Sequence, residues 1–115
     1  MTTAVNIALA LNKLGRYAET KSMLREPISV AQRTFGDQHI ITIDLHSQLA
    51  EALLGISVSG IGGIEDLRAA VAMREDVLKR TRQVLGAGHP ITQCRQRRME
   101  SLWENLAEAE ATTTR

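Results

Sequence analysis

Aromatic residues, cysteine and proline are scarce in this chain of 115 residues, and each scarcity limits the structures that the chain can form. Aromatics make up only 3% of the residues, so the core must be built from aliphatic side chains, which suits helices packed on helices. The one cysteine, Cys94, cannot form an internal disulfide and fits a reducing compartment. With only two prolines, little interrupts helix formation.

Charge and hydropathy exclude two further classes of protein. The formal net charge is +1, so the total charge favours neither nucleic acid nor a membrane surface as a partner. The sequence contains no run of about eighteen apolar residues and no N-terminal apolar run preceded by basic residues. We therefore expect one soluble, cytoplasmic domain over residues 1–111, followed by a tail over residues 112–115.

The most informative feature is a connector that occurs twice, fifty residues apart. The first copy is Gly36-Asp37-Gln38-His39-Ile40-Ile41-Thr42, and the second is Gly86-Ala87-Gly88-His89-Pro90-Ile91-Thr92. Each copy lies between two long amphipathic stretches. A connector repeated between helices indicates a tandem helical array, an architecture that usually binds other proteins. Because His39 and His89 occupy equivalent positions, we expect them to cap or brace the connector.

The spacing of apolar residues predicts about five helices. Gly36 and Gly86 stand where C-terminal caps belong, and Thr42 is a reasonable N-cap. A stretch with several glycines and no periodicity is typical of a flexible loop. The predicted elements are a first helix pair over about 3–35, a second pair over about 42–85 with a flexible loop over 55–63, and an extra helix over about 92–111.

Two stretches near the N-terminus resemble the tetratricopeptide repeat. They are Asn6-Ile7-Ala8-x-x-Leu11 and Leu14-Gly15-Arg16-Tyr17-x-Glu19-Thr20. The long second helix and the connector that follows it resemble the kinesin-light-chain variety in particular. The resemblance implies an all-α fold in which antiparallel helix hairpins stack as a short solenoid. It also implies a non-catalytic function, that of an adaptor or scaffold module in protein–protein interaction.

Two features depart from the pattern of the repeat. Pro27 stands where the family has a small residue inside a helix, and a proline there can cost about 3 kcal/mol. We therefore expect a kink or break near Glu26 and Pro27. Two and a half repeats also leave open ends, which a longer chain or a homo-oligomer would cover.

The resemblance further implies a ligand site, because peptides bind in this family along the concave surface formed by the first helix of each pair. Since the later helices contribute mainly carboxylates, we expect a basic or neutral segment as the ligand. The alternative is a solvated face without a ligand. The residues carried over by spacing are Asn12, Lys13, Asp44, Ser47, Glu51, Ser101, Glu104 and Glu108.

A second candidate site is a cluster of cations near the second connector, the basic corner, formed by Lys79, Arg80, Arg82, Arg95, Arg97 and Arg98. Cations near a helix N-terminus are unfavourable for the helix, so the last three do not serve helix stability. They would bind an anionic partner such as an acidic peptide, phosphates or nucleic acid. Alternatively, they pair with acidic helical neighbours. No aromatic residue interleaves with the arginines, which makes nucleic acid unlikely as a partner.

Patterns for catalysis or metal binding are absent from the sequence. His39 and His46 lack the spacing of metal ligands, and Cys94 offers no second thiolate. The glycines over 60–63 lack the Lys-Ser/Thr of a phosphate-binding loop. We expect no enzyme activity, no cofactor and no metal. Besides the adaptor function, a structural subunit of a larger assembly and anion binding through the basic corner stay open.

Overall fold

The computed structural model describes residues 2–58 and 64–113, which form five α-helices. The helices are α1 (Thr2–Lys13), α2 (Tyr17–Phe35), α3 (Ile40–Val58), α4 (Ile64–Leu85) and α5 (Pro90–Thr113). This part of the chain contains no strand, and none of its helices combines the length and the hydropathy needed to cross a lipid bilayer. The predicted all-α fold is confirmed, and α2 and α4 end at Phe35 and Leu85, where the two predicted helix pairs end.

Helix α3 differs from the prediction at both ends. It begins at Ile40, so Thr42 is not its N-cap but lies inside the helix with a buried side chain. It continues through Gly55 to Val58, so the predicted loop is wrong for residues 55–58, while residues 59–63 lie outside the described residues. Gly55 fits here because the Tyr17 ring lies against it. A Cβ atom at Gly55 would come within 2.5 Å of Cε1 of that ring.

The predictions for α2 and α5 also need correction. Helix α2 continues across Pro27 without a break, because Leu24 and Ala31 on either side are fully buried and tertiary packing holds the helix together. Helix α5 begins at Pro90, two residues earlier than expected. It extends to Thr113, so residues 112 and 113 are helical rather than part of a tail, and residues 114 and 115 lie outside the described residues.

The helices pack in order along the chain. Helix α2 packs on α1, α3 packs on both, α4 packs on α3, and α5 packs on α4. This succession of antiparallel neighbours forms two apolar clusters. The first joins α1, α2 and α3 through Ala8, Leu24, Ala31 and Leu45, and the second joins α4 and α5 through Val71, Leu78, Met99 and Leu102.

The two connectors have the same internal structure. Nδ1 of His39 accepts a hydrogen bond from the backbone N–H of Ile41, and Nδ1 of His89 accepts one from Ile91, each over 3.1 Å. Since α3 and α5 begin directly after these histidines, His39 and His89 are the N-caps of the two helices. In the first connector, the sequence had predicted Thr42 in this role. Gly36 and Gly86 end the preceding helices with φ of 82° and 89°. The expected bracing by the histidines is confirmed.

Candidate functional site

Two adjoining cavities form a groove along α1, α3 and α5. One has a volume of about 270 Å³ and lies mainly between α1 and α3, and the other has about 410 Å³ and lies between α3, α4 and α5. Glu51 and Arg98 line both cavities, so the two adjoin at these residues. We call this surface the α1–α3–α5 groove. The residues that line it include Lys13, Ser47, Glu51, Arg74, Arg97, Arg98 and Ser101.

Five of the eight residues expected to bind a peptide line this groove, namely Asn12, Lys13, Ser47, Glu51 and Ser101. The other three lie outside the two cavities. Of these, Glu104 and Glu108 are exposed elsewhere on α5, and Asp44 forms an ion pair described below.

Asn12 holds two helices together inside the groove. Its Nδ2 donates to the backbone oxygen and to Oε1 of Gln48, both at 3.1 Å, so it ties α1 to α3. Both Asn12 and Ser47 are buried. Lys13 is exposed at the edge of the groove and has no ion pair within the described residues.

The carboxylates of the groove region are paired with arginines. Nη2 of Arg95 donates to Oδ1 of Asp44 over 2.9 Å, and Nη1 of the same arginine donates to Oγ1 of Thr81 over 2.7 Å. Glu51 forms an ion pair with Arg74, whose side chain is only 6% exposed. The expectation of a basic or neutral ligand relied on free carboxylates, and these two are not free.

Arg74 is a residue of the groove that the sequence analysis missed. Burial, followed by the charges of Arg98 and Arg95, lowers the pKa of Arg74 to about 10, so it stays charged at neutral pH. Its Nε has no hydrogen-bond partner within the described residues. A signal was present in the sequence, because Arg74 lies in the apolar stripe of α4 between Val71 and Val77. A cation at such a position is rarely buried without a partner.

The cations of the basic corner are distributed over several cavities, and Arg82 and Arg97 line one of about 450 Å³ together. Arg80 forms an ion pair with Asp37 and another, over 3.0 Å, with Asp76. Asp76 lies one helical turn away in α4 and is an acidic helical neighbour of the kind considered in the sequence analysis. Arg82 donates to Gln96 and, like Lys79, also lines a cavity beside Trp103.

Arg97 and Arg98 also line the α1–α3–α5 groove, at its α5 side. Both are exposed, and neither side chain has an ion pair or hydrogen bond within residues 2–58 and 64–113. The groove therefore carries more free positive charge than free negative charge near α5. In the same part of the chain, no group of three His, Cys, Asp or Glu side chains could hold a metal ion.

Comparison with known proteins gives one match. A family model of the tetratricopeptide repeat matches residues 1–41 and 64–91, which together make up more than half of the chain. The matched segments contain α1, α2, α4 and both connectors, including their capping histidines, except for the last residue of each connector. No curated protein and no solved structure matches. With the five packed helices, this match shows that the chain belongs to the tetratricopeptide repeat family.

Proposed function

We propose that this chain is a non-catalytic adaptor or scaffold module whose α1–α3–α5 groove binds a peptide segment of a protein partner. Tetratricopeptide repeats generally mediate protein–protein interaction, which supports the coarse function. The finer assignment is supported by the groove itself, because its two cavities join side chains from several helices into one open surface. A groove of this form suits an extended or helical segment better than a small molecule.

The charge of the groove favours an acidic segment. Asp44 and Glu51 are each neutralised by an arginine, whereas Lys13, Arg97 and Arg98 are exposed and unpaired within the described residues. This excess of free cations is the observation that carries the proposal. It reverses the ligand charge expected from the sequence, because that expectation counted the carboxylates without their partners.

Peptides of opposite charge test the proposal. We expect fluorescein-labelled degenerate peptides rich in Asp and Glu to bind the full chain more tightly than peptides of the same length rich in Lys and Arg, in a fluorescence anisotropy titration. Arg98→Glu should remove the binding, whereas Arg33→Glu should not, because Arg33 is exposed on α2 away from the groove. Equal binding of both peptide classes, or equal loss in both variants, would contradict the proposal.

A second candidate function is that of a subunit in a larger assembly, and exposed apolar residues at the α1 end favour it. Leu14 is 70% exposed and Ile7 47% exposed. On α5, Ile91 is 43% exposed and Trp103 40% exposed, both less than Leu14 and Ile7. At the positions where α3 has Ile43, Ala50 and Leu54, α5 has the exposed residues Gln93, Glu100 and Glu104.

A homo-oligomer would therefore form through α1 rather than through α5. Sedimentation velocity at increasing concentration tests this: a wild-type chain that stays monomeric, or that associates equally well with Leu14→Glu, would contradict it.

Two finer assignments complete the proposal. The kinesin-light-chain-like variety is supported by the long α2 and by the His-containing connectors. A cytoplasmic location is supported by the single, exposed, free Cys94. Neither assignment implies a motor complex or a particular cargo.

A further inference from the structure

The larger cavity of the groove contains three arginines and one carboxylate. Arg74, Arg97 and Arg98 line it together with Glu51, so its formal charge is +2 when the four side chains are counted. A carboxylate ligand would neutralise one of these charges. A phosphate monoester carries about −1.5 to −2 at neutral pH and would neutralise both. Charge balance therefore favours a dianion.

The three arginines are held in place in different ways. Arg74 on α4 is buried, and its ion pair with Glu51 fixes it at the floor of the cavity. Its unpartnered Nε shows that Glu51 does not satisfy all of its donors. Arg97 and Arg98 are consecutive exposed residues of α5. The cavity thus combines one rigid buried cation with two cations that are free to reach a ligand.

Other residues of the cavity suit a phosphorylated side chain. Ser101 lies one helical turn after Arg97 and Arg98 and supplies a hydroxyl donor. Leu54 and Leu102 also line the cavity and give an apolar wall for the carbon atoms of the ligand. Guanidinium groups bind phosphate oxygens through two parallel hydrogen bonds, which ammonium groups cannot do.

We propose that this cavity binds a phosphorylated serine or threonine within the peptide that occupies the α1–α3–α5 groove. The inference rests on the proposed function and adds the chemical class of the ligand. A nucleic acid fits less well for two reasons. No aromatic side chain lines the cavity to stack on a base, and the exposed Glu100 and Glu104, two and six residues after Arg98 in α5, would repel a longer polyanion.

Three peptide pools with the same degenerate flanks test the inference. Their central residue is phosphoserine, glutamate or serine, and their affinities for the full chain are measured by fluorescence anisotropy. We expect the phosphoserine pool to bind at least about tenfold more tightly than the glutamate pool. Arg98→Gln should abolish this preference, Arg98→Lys should restore it only in part, and Arg33→Gln should leave it unchanged.

Each of the other possible results contradicts either the phosphate inference alone or the proposed function as well. If the glutamate pool binds as tightly as the phosphoserine pool, the phosphate inference is wrong and the proposed function stands. If neither pool binds better than the serine pool, both are wrong. If a short single-stranded DNA competes as well as the phosphoserine pool, the cavity binds polyanions without choosing a phosphopeptide. Circular dichroism of the Arg98 variants checks that they fold, as expected for an exposed residue.

Discussion

Replacing Arg74 by methionine separates a structural role of this buried cation from a role in binding. Arg74 occupies the place in α4 that Leu24, which is fully buried, occupies in α2, since both lie twelve residues before the glycine of the next connector. The position therefore accepts an apolar side chain in one copy of the repeat. Methionine keeps the unbranched stem of arginine and removes its charge.

The expected stability of the variant follows from the unequal burial of the ion pair. The side chain of Arg74 is 6% exposed, whereas that of Glu51 is 41% exposed. Arg74→Met leaves Glu51 able to regain water, and replacing a buried ion pair by apolar packing ranges from neutral to about 4 kcal/mol stabilising. For Arg74→Met we expect a stabilisation at the lower end of this range, about 0 to 1 kcal/mol, because only one member of this ion pair is buried.

Glu51→Gln should have the opposite effect. It leaves the buried Arg74 without its counter-charge, which costs about 1–3 kcal/mol for a hydrogen bond to a charged group. The figure stays below that for a fully buried pair because water can approach the exposed side of the site. In the double variant this penalty should disappear, because no buried cation is left to lose its partner.

Urea unfolding followed by circular dichroism measures the free energy of unfolding of the wild type and of the three variants. The predicted order is Glu51→Gln below the wild type, with Arg74→Met at or above it. Peptide affinity should fall in Arg74→Met although its stability does not, which is the pattern of a residue kept for binding. A loss of more than about 2 kcal/mol in Arg74→Met, together with a neutral Glu51→Gln, would refute this account of the pair.

Three further outcomes are expected. Gly86→Ala should destabilise the chain by about 1–2 kcal/mol in thermal unfolding, because its φ of 89° strains a residue with a Cβ, whereas Gly88→Ala in the same connector should change little. Leu24→Ala should cost about 2–5 kcal/mol in urea unfolding, since the side chain is fully buried, and a smaller cost would mean that the first cluster is loosely packed. Burial, then the charge of Arg80, lowers the pKa of His46 from about 6.5, while Asp37 and Asp76 oppose this. Stability should therefore fall as the pH drops below about 6.5, where the unfolded chain binds the proton more readily, and His46→Gln should reduce that slope; an unchanged slope would contradict it.

Local signals in the sequence were sufficient for most of the fold. The glycines of the two connectors mark the ends of α2 and α4, because only a residue without a side chain adopts their positive φ cheaply. The start of α3 was predicted wrongly because Thr42 is of a residue type that is common at N-caps. His39 is the residue that directly precedes the helix and accepts the capping hydrogen bond. The end of α3 was predicted too early because Gly55 resembles a loop residue, although it is required by contact with Tyr17, which is distant in sequence.

The charge of the groove could not be derived from local patterns. Asp44 pairs with Arg95 and Glu51 with Arg74, and neither partner lies within one helical turn of the carboxylate. Only the packing of α3 against α4 and the position of α5 bring these residues together. The carboxylates counted in the sequence therefore led to the expectation of a basic or neutral ligand, whereas their ion pairs support the acidic ligand that we propose.

Differences between the two copies of the repeat contain information that neither copy contains alone. Where the copies agree, as at His39 and His89, the residues serve the fold, because the same hydrogen bond forms in both connectors. Where they differ in polarity, packing alone does not explain the change. Leu24 fills the first core, and Arg74 at the equivalent place introduces a buried charge that must be paired and that lowers the benefit of burial. If Arg74→Met is as stable as predicted above, Arg74 meets a requirement outside the fold. Arg97 and Arg98, which have no side-chain partner within the described residues, lie beside it and agree with the anionic ligand that we propose.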